Sequence, residues 1–443
     1  MAPERHRVPN RAFAIFVWLL YLAAHTEAQV ASTTAAPPSA PVTTVIRAGK
    51  FIDVETGKVL ANQVIVVRDK KIVSVGEGDT AIPNGAMMID LSHMTVMPGL
   101  IDCHTHLVGD ATDTDPVSEL RKTSAVRAFE SIPNAKVTLL AGFTTVRDVG
   151  TYRALVDVAL RDAIARGDVI GPRMFVAGAY ITITGGGGAL NGVAPDITLP
   201  WDLRFGVADG PDEVRQRVRA LEANGVDLIK VIATGAFLSH GSIPSTDDFT
   251  YDEIRAAVEE AGKKGLRVAA HAHGADGIKN AVRAGVASIE HGTFIDDEGL
   301  RMMKEHGTYL VADIYDDECI STGINGMPAD FQAKQGAETQ RQNFKKAVLL
   351  GVKIAFGTDA SVCPHGTNAK QFAYQVKYGQ TPMQAIQSAT INAATLIGKP
   401  EEFGSIAPGK YADIIAVSGD VLADVRVLEH VAFVMKEGKI YKQ

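Results

Sequence analysis

At 443 residues, 46% hydrophobic and 21% charged, the chain has the length and composition of a globular enzyme with mass for more than one core. A formal net charge of −7 with no Lys/Arg-dense stripe argues against a phosphate-backbone partner, so no nucleic acid is expected. Cys103, Cys319 and Cys363 are too few for a disulfide framework and leave room for one bridge.

The chain opens with Arg5, Arg7 and Arg11 ahead of the apolar run Ala12–Ala24, then a polar stretch ending at Ala28. This pattern predicts a signal peptide over 1–28, cleaved near Ala28, because an apolar run of about 13 residues is too short to span a bilayer. Export to the periplasm or the medium is expected, with no stable membrane anchor afterwards. Residues 29–44, rich in Ala, Pro, Ser and Thr, predict a flexible linker. Residues 45–97 alternate apolar and polar positions, as in Gln63–Arg68 and Lys71–Val75, and predict antiparallel strands. The tail, 401–443, behaves likewise at Ala412–Val417 and Val431–Lys436. Neither end can bury an apolar face alone, so both are expected to pair into one small discontinuous β-sandwich of structural role. Between them, over 98–400, strand-like runs alternate with helix-like segments: Thr144–Val149, Arg173–Gly178, Asp227–Ala233, Leu266–His271, Ala287–His291, Thr308–Ile314 and Val352–Gly357 follow the run that ends at His104. Such alternation predicts an α/β fold with a parallel sheet closed into a (β/α)8 TIM barrel.

The chemistry lies at the ends of these strands. In Gly99-Leu-Ile-Asp-Cys-His-Thr-His106, His104 and His106 share one strand face, so their rings converge on one point and can hold one metal. Lys230, His271, His291 and Asp359 each lie in or end an apolar, β-branched run. A buried lysine needs an explanation: carbamylation would make it an anionic bridging ligand, whereas an ammonium paired with a nearby aspartate is the plainer reading. Cys103 should face away from both histidines and pack in the core. His273, two residues beyond His271, shares its strand face; it is assigned to polarising the scissile carbonyl, with a third-ligand or structural role as the alternative. His240 and Ser239 after the fourth strand, and Ser361–Asn368 with His365 after the eighth, are candidate substrate contacts, with plain surface loops as the alternative. The run Gly185–Gly188 reads as a mobile or closely packed loop near substrate and is no phosphate loop, since no Gly-Lys-Ser/Thr follows.

The ordered set His-x-His, Lys, His, His, Asp resembles the amidohydrolase superfamily over nearly everything from Val42 onward. The resemblance implies a barrel holding two divalent metals at the strands' C-terminal mouth, one on His104, His106 and Asp359, the other on His271 and His291, with carbamylated Lys230 between them. Zinc suits these N and O donors best. A water activated between two cations would attack an amide carbonyl, with Asp359 carrying its proton to the leaving nitrogen. Local texture, including Thr144–Gly150, Lys230–Gly235, Ala270–Gly274 and Ile289–Thr293, resembles the branch of Xaa-Pro dipeptidases, metal-dependent carboxypeptidases and ochratoxin-hydrolysing amidases, which implies cleavage of an amide to a C-terminal amino acid. Phe237 departs from that texture, and its bulk at the mouth would favour aromatic or apolar substrates. Cyclic amides, in the manner of imidazolonepropionases, are the alternative substrates, followed by lactones and phosphotriesters. A non-catalytic scaffold on the same barrel fits poorly with a full ligand set. The expected partners are a small-molecule or dipeptide substrate and further copies of the chain in a symmetric homo-oligomer.

Overall fold

Two patterns of apolar residues build two kinds of sheet. The computed structural model describes residues 42–443 apart from 79–81, 112, 114, 116 and 324–328; the expected signal peptide, and the linker as far as residue 41, lie outside them. The strands in chain order are β1 (Thr43–Asp53), β2 (Lys58–Arg68), β3 (Lys71–Glu77), β4 (Met87–Pro98), β5 (Leu100–Thr105), β6 (Phe143–Asp148), β7 (Arg173–Val176), β8 (Tyr180–Ile181), β9 (Leu228–Ile232), β10 (Arg267–Ala272), β11 (Ser288–His291), β12 (Tyr309–Val311), β13 (Ile414–Val417), β14 (Val431–Lys436) and β15 (Lys439–Lys442). Thr43 and Thr44, expected in the linker, already belong to β1 and pair with Arg68 and Val67 of β2.

The central strands bury residues on both faces, polar as well as apolar, as parallel strands covered on both sides do. Every residue of β5, β6, β9 and β11 is buried. They pair in parallel as β5-β6-β7 and as β8-β9-β10-β11-β12. The amide of Asp227, entering β9, donates to Val176 O at 2.8 Å and ties the first set to the second. The expected third strand divides at Gly178, whose φ of +78° turns the chain between β7 and β8. The expected eighth strand, Val352–Gly357, forms no ladder: parallel bridges Leu310↔Ile354 and Thr105↔Ala360 hold this stretch between β12 and β5, helped by Cys103 N to Phe356 O at 2.8 Å.

Helices cover the outer face of these strands and have local reasons to start and stop. Tyr251–Gly262 begins with a capping box in which Thr250 and Glu253 satisfy each other's backbone amides. Asp297–His306 is capped by Asp296, which accepts from Gly299 N at 2.7 Å, and ends at left-handed Gly307. No described helix is long and apolar enough to cross a membrane.

Both chain ends meet in one seven-stranded sheet, ordered β15-β14-β13-β4-β1-β2-β3. This corrects the expected two-sheet sandwich: the sheet curls instead. Its outer strand β3 returns to the segment before β13, with Ile72 N donating to Lys410 O and Gly409 N to Ile72 O, both at 2.9 Å. The curl encloses Ile46, Ile65, Ile72, Ile414, Phe433 and Met435 in one cluster drawn from both ends. A second cluster joins the sheet to the central strands, with Ile52, Met97 and Val434 packing among Phe143, Phe356 and Phe372. Each fully buried side chain of this size contributes roughly 1.5–3 kcal/mol, so the sheet is anchored by apolar contact as well as by hydrogen bonds.

Candidate metal centre and cleft

The C-terminal ends of the central strands converge on a cavity of about 150 Å³, whose walls include His104, His106, Lys230, His271, His291 and Asp359. The six residues expected as ligands therefore meet at one place, and His273 joins them. Asp359 Oδ1 lies 3.2 Å from His106 Nε2 and 3.5 Å from His104 Nε2. The donor atoms of His104, His291 and Asp359 fall within 4.8 Å of one another, as do those of His271, His273 and His291. The second grouping gives substance to the ligand alternative for His273.

What stands behind each ring decides which nitrogen faces the cavity. His104 Nδ1 meets Glu290 Oε2 at 2.9 Å, His106 Nδ1 meets Gly150 O at 2.8 Å, and His291 Nδ1 meets Asp313 Oδ2 at 2.6 Å. His273 Nδ1 is occupied by Thr293 Oγ1 at 2.8 Å. For His104, His106 and His291 the partner is an acceptor, so Nε2 keeps its lone pair for a ligand, the pattern of metal-binding histidines; the Thr293 hydroxyl donates as well as accepts, so His273 Nε2 is open to either role. His271 is reversed, with Nε2 against Gly235 O at 3.2 Å, leaving Nδ1. Glu290 is itself held by Arg147 Nη2 at 2.8 Å, and Gln340 Nε2 donates to Asp313 Oδ1 at 2.7 Å.

Burial lowers three of the imidazoles, while at His106 burial is outweighed by the Asp359 carboxylate, which raises the ring. Burial pushes His104 down to about 4, with the nearby Lys230 charge adding to the effect, and holds His271 and His273 well below the usual imidazole range. Neutral rings are the form that ligates. Burial alone would raise the Asp359 carboxyl, yet His104 and His106 hold it far below the usual carboxylate range. Lys230 is fully buried, its Nζ has no hydrogen-bond partner, and burial pulls it down to about 8. An ammonium left in that state is costly, and its lowered pKa supplies the neutral amine that carbamylation needs. A pair of divalent cations thus fits the donors present. His291 and Asp359 both have left-handed φ, +68° and +50°, a conformation that His and Asp adopt more readily than most side chains.

The loop expectations divide. Phe237 lines the cavity, its ring centroid 4.7 Å from that of His273. Gly187, Gly188 and Ser361 line it too. His240 does not: it is exposed, carried outward by a loop that tightens where Ala236 N donates to Ser242 Oγ at 2.9 Å. His365 is half-buried outside the cavity lining, pushed down to about 4 by burial and the neighbouring His106. Cys103 packs with Ile101, Val311 and Ala355, as expected. The one possible bridge forms between Cys319 and Cys363 and ties helix Asp317–Gly323 to the loop that follows Asp359.

Sequence reasoning missed the residues behind the ligands. Arg147 and Glu290 stand in buried strands that already carry other polar residues, Thr144, Thr145 and Asp148 in β6 and Ser288 and His291 in β11, so no break in an apolar run marked them. Asp313 and Asp316, whose carboxylates group with that of Asp359, sit in a run of acids after β12, where only the fold distinguishes cavity from surface. Tyr180, whose hydroxyl lies 3.2 Å from His106 Nδ1, carried no signal at all.

Comparison with known proteins places the chain in a family. Residues 95–441 match the amidohydrolase family model. The chain is 32% identical over 424 residues to the ochratoxinase of Aspergillus niger, covering 90% of this chain and 86% of that protein. A Xaa-Pro dipeptidase structure with bound methionine in its active site superposes with a TM-score of 0.85 at 40% identity, covering 90% of this chain and 100% of that one. A prolidase complexed with N-methylphosphonate-L-proline gives 0.82 at 31% identity, over 91% and 100%. On the extent of the family match and the identity to these relatives, the chain belongs to the amidohydrolase family.

Proposed function

We propose that this protein is a binuclear, zinc-dependent hydrolase that cleaves the amide bond to a C-terminal amino acid in dipeptides or N-acyl amino acids, on a closed (β/α)8 barrel with its curled sheet as a second domain. The observation that carries the reading is the convergence of His104, His106, His271, His291 and Asp359 around the partnerless Nζ of Lys230. Carbamylated Lys230 would join these side chains in holding the two ions. Bound there, the ions supply Lewis acidity toward the carbonyl and lower the pKa of water at neutral pH.

The chain's own residues do the rest. Asp359, held ionised, accepts a proton at a carboxylate oxygen and delivers it to the leaving nitrogen, without which an amide anion would have to depart. His273 takes the tautomer in which the Thr293 hydroxyl donates to Nδ1, so that its one proton sits on Nε2 and is donated to the carbonyl oxygen. Phe237 closes one wall with apolar surface and favours aromatic or aliphatic groups there. A prolidase with a proline phosphonate and an ochratoxinase among the relatives support an amino-acid leaving group of either kind. We also propose export after cleavage near Ala28, in keeping with the Cys319–Cys363 bridge, and assembly as a homo-oligomer.

The test is release of free amino acid from dipeptides and N-acyl amino acids ending in proline, phenylalanine, leucine, lysine or arginine, by zinc-loaded protein beside a Lys230→Ala control. Turnover of one class with a dead control is expected. No release by protein that holds two metals per chain would refute the substrate assignment and turn the assay to cyclic amides and lactones.

A further inference from the structure

Far from the cleft, where the β14–β15 hairpin meets the start of β7, lies a second cavity of about 450 Å³. Its walls include Lys70, Arg173, Lys436 and Lys439, with Glu437 as their one lining carboxylate. Arg161 and Arg166 on its rim are engaged by Asp227 at 2.8 Å and Asp168 at 2.9 Å. Lys70 and Arg173 both hold Glu437, each at 2.9 Å, and Arg173 also pairs with Asp413. Lys436 and Lys439 have no carboxylate partner among the described residues. Lys436 is only 7% exposed, and its one hydrogen bond runs to Gly171 O at 2.6 Å, although an ammonium carries three donors. Both lysines flank the Tyr441 ring, 5.7 and 5.2 Å from its centroid. Four cations therefore face two carboxylates, a surplus of two positive charges around a space large enough for a ligand.

We propose that this seam binds a small divalent oxyanion of the sulfate or phosphate-monoester type, held by Lys436 and Lys439 with Lys70 and Arg173 behind them. A dianion would match the surplus charge and supply the acceptors that the Lys436 ammonium lacks. It would also brace the curled sheet against the central strands, since the four cations come from both. The site stands apart from the metal centre and does not depend on which amide is cleaved.

Sulfate is the probe, titrated into the metal-loaded protein by calorimetry and by thermal unfolding, with chloride at equal ionic strength alongside. The expected result is saturable binding with a rise in unfolding midpoint of about 2–4 °C. Lys439→Gln, at an exposed side chain that cannot compromise folding, and Lys436→Gln should each weaken that binding at least about tenfold while amide hydrolysis stays unchanged. A shift that grows linearly without saturating, equals that of chloride, or persists in both variants would overturn the proposal, because sulfate would then act by exclusion, by screening or at the metal centre.

Discussion

The mouth of the central strands and the curled sheet are made of similar residues under opposite rules. In the sheet, alternating apolar side chains fill one enclosed cluster, and the left-handed residues Asp69 and Glu437 sit in turns, where that conformation costs little. At the mouth, left-handed φ falls on His291 and Asp359 themselves, and fully buried Lys230 lacks a partner. There the unpartnered lysine and the left-handed candidate ligands line the same cavity. Stability is invested at one end of the molecule and preorganisation at the other, which is the division expected of an enzyme on a rigid scaffold.

The sharpest break of this contrast is removal of what the mouth awaits. Chelation, or Lys230→Ala, should lower kcat/KM by roughly 10³-fold or more, and metal analysis of the variant should fall below two ions per chain. Secondary structure by circular dichroism should persist, because the sheet and helices do not depend on the centre. Collapse of the fold on chelation would show the mouth to be structural. One shell further out, Glu290→Gln keeps a neutral acceptor for His104 but weakens its hold on the ring, and should cost about 10–100-fold in activity or metal affinity. Each change also strands a buried partner, the Arg147 guanidinium in Glu290→Gln and the Glu290 carboxylate in Arg147→Met, and each should cost about 3–5 kcal/mol of stability. Denaturant titration measures that loss: a midpoint unchanged in Arg147→Met would refute a structural role for the pair.

A third perturbation acts on the rim. The Cys319–Cys363 bridge closes a loop of 44 residues and pins Ser361, which lines the cleft and accepts from Ala111 N at 2.7 Å. Paired Cys319→Ser and Cys363→Ser substitutions should lower stability by about 2–4 kcal/mol through the freed unfolded chain. Because the bridge reaches the loop after Asp359, KM should rise more than kcat falls. Equal loss in both would place the bridge's influence on the chemistry instead of on substrate entry.

Much of this was legible in the sequence because strand periodicity projects. Residues two apart on a strand share a face, so His104 could be paired with His106 and His271 with His273 from spacing, whereas bringing the two pairs to one centre rested on the family resemblance; a lysine within Leu228–Ile232 announced itself by breaking a wholly apolar run. The residues that orient those ligands escaped, because Glu290 meets His104 and Asp313 meets His291 across strands distant in sequence, a relation that pattern does not encode. Loop side chains were the least legible. Phe237 and His240 lie three residues apart on one loop, yet one lines the cleft and the other faces solvent, a difference set by backbone turns such as that at Ser242. The curled sheet was half readable: alternation predicts that the two ends must pair, but not that β3 would return to residues 409–412 and make a second sheet unnecessary.

The gentlest perturbation probes the scaffold end, where Lys436 is the exception to apolar packing. Burial pulls its ammonium down to about 8 from 10.5, partly offset by Glu437 and opposed again by Arg173. Between those two values the unfolded chain binds a proton that the folded protein does not, so this group's contribution to stability rises with pH across that window. Below pH 8 both states are charged and the penalty for burying the ammonium is fully present. Lys436→Met removes the titration. Relative to the parent, the variant should therefore be most favoured near pH 7, and its advantage should shrink by up to about 3 kcal/mol as pH rises from 8 to 10.5. Chemical denaturation of both proteins across that range measures the difference. A constant gap would mean that Lys436 titrates normally and that water reaches the seam, in which case this part of the scaffold is no drier than the surface.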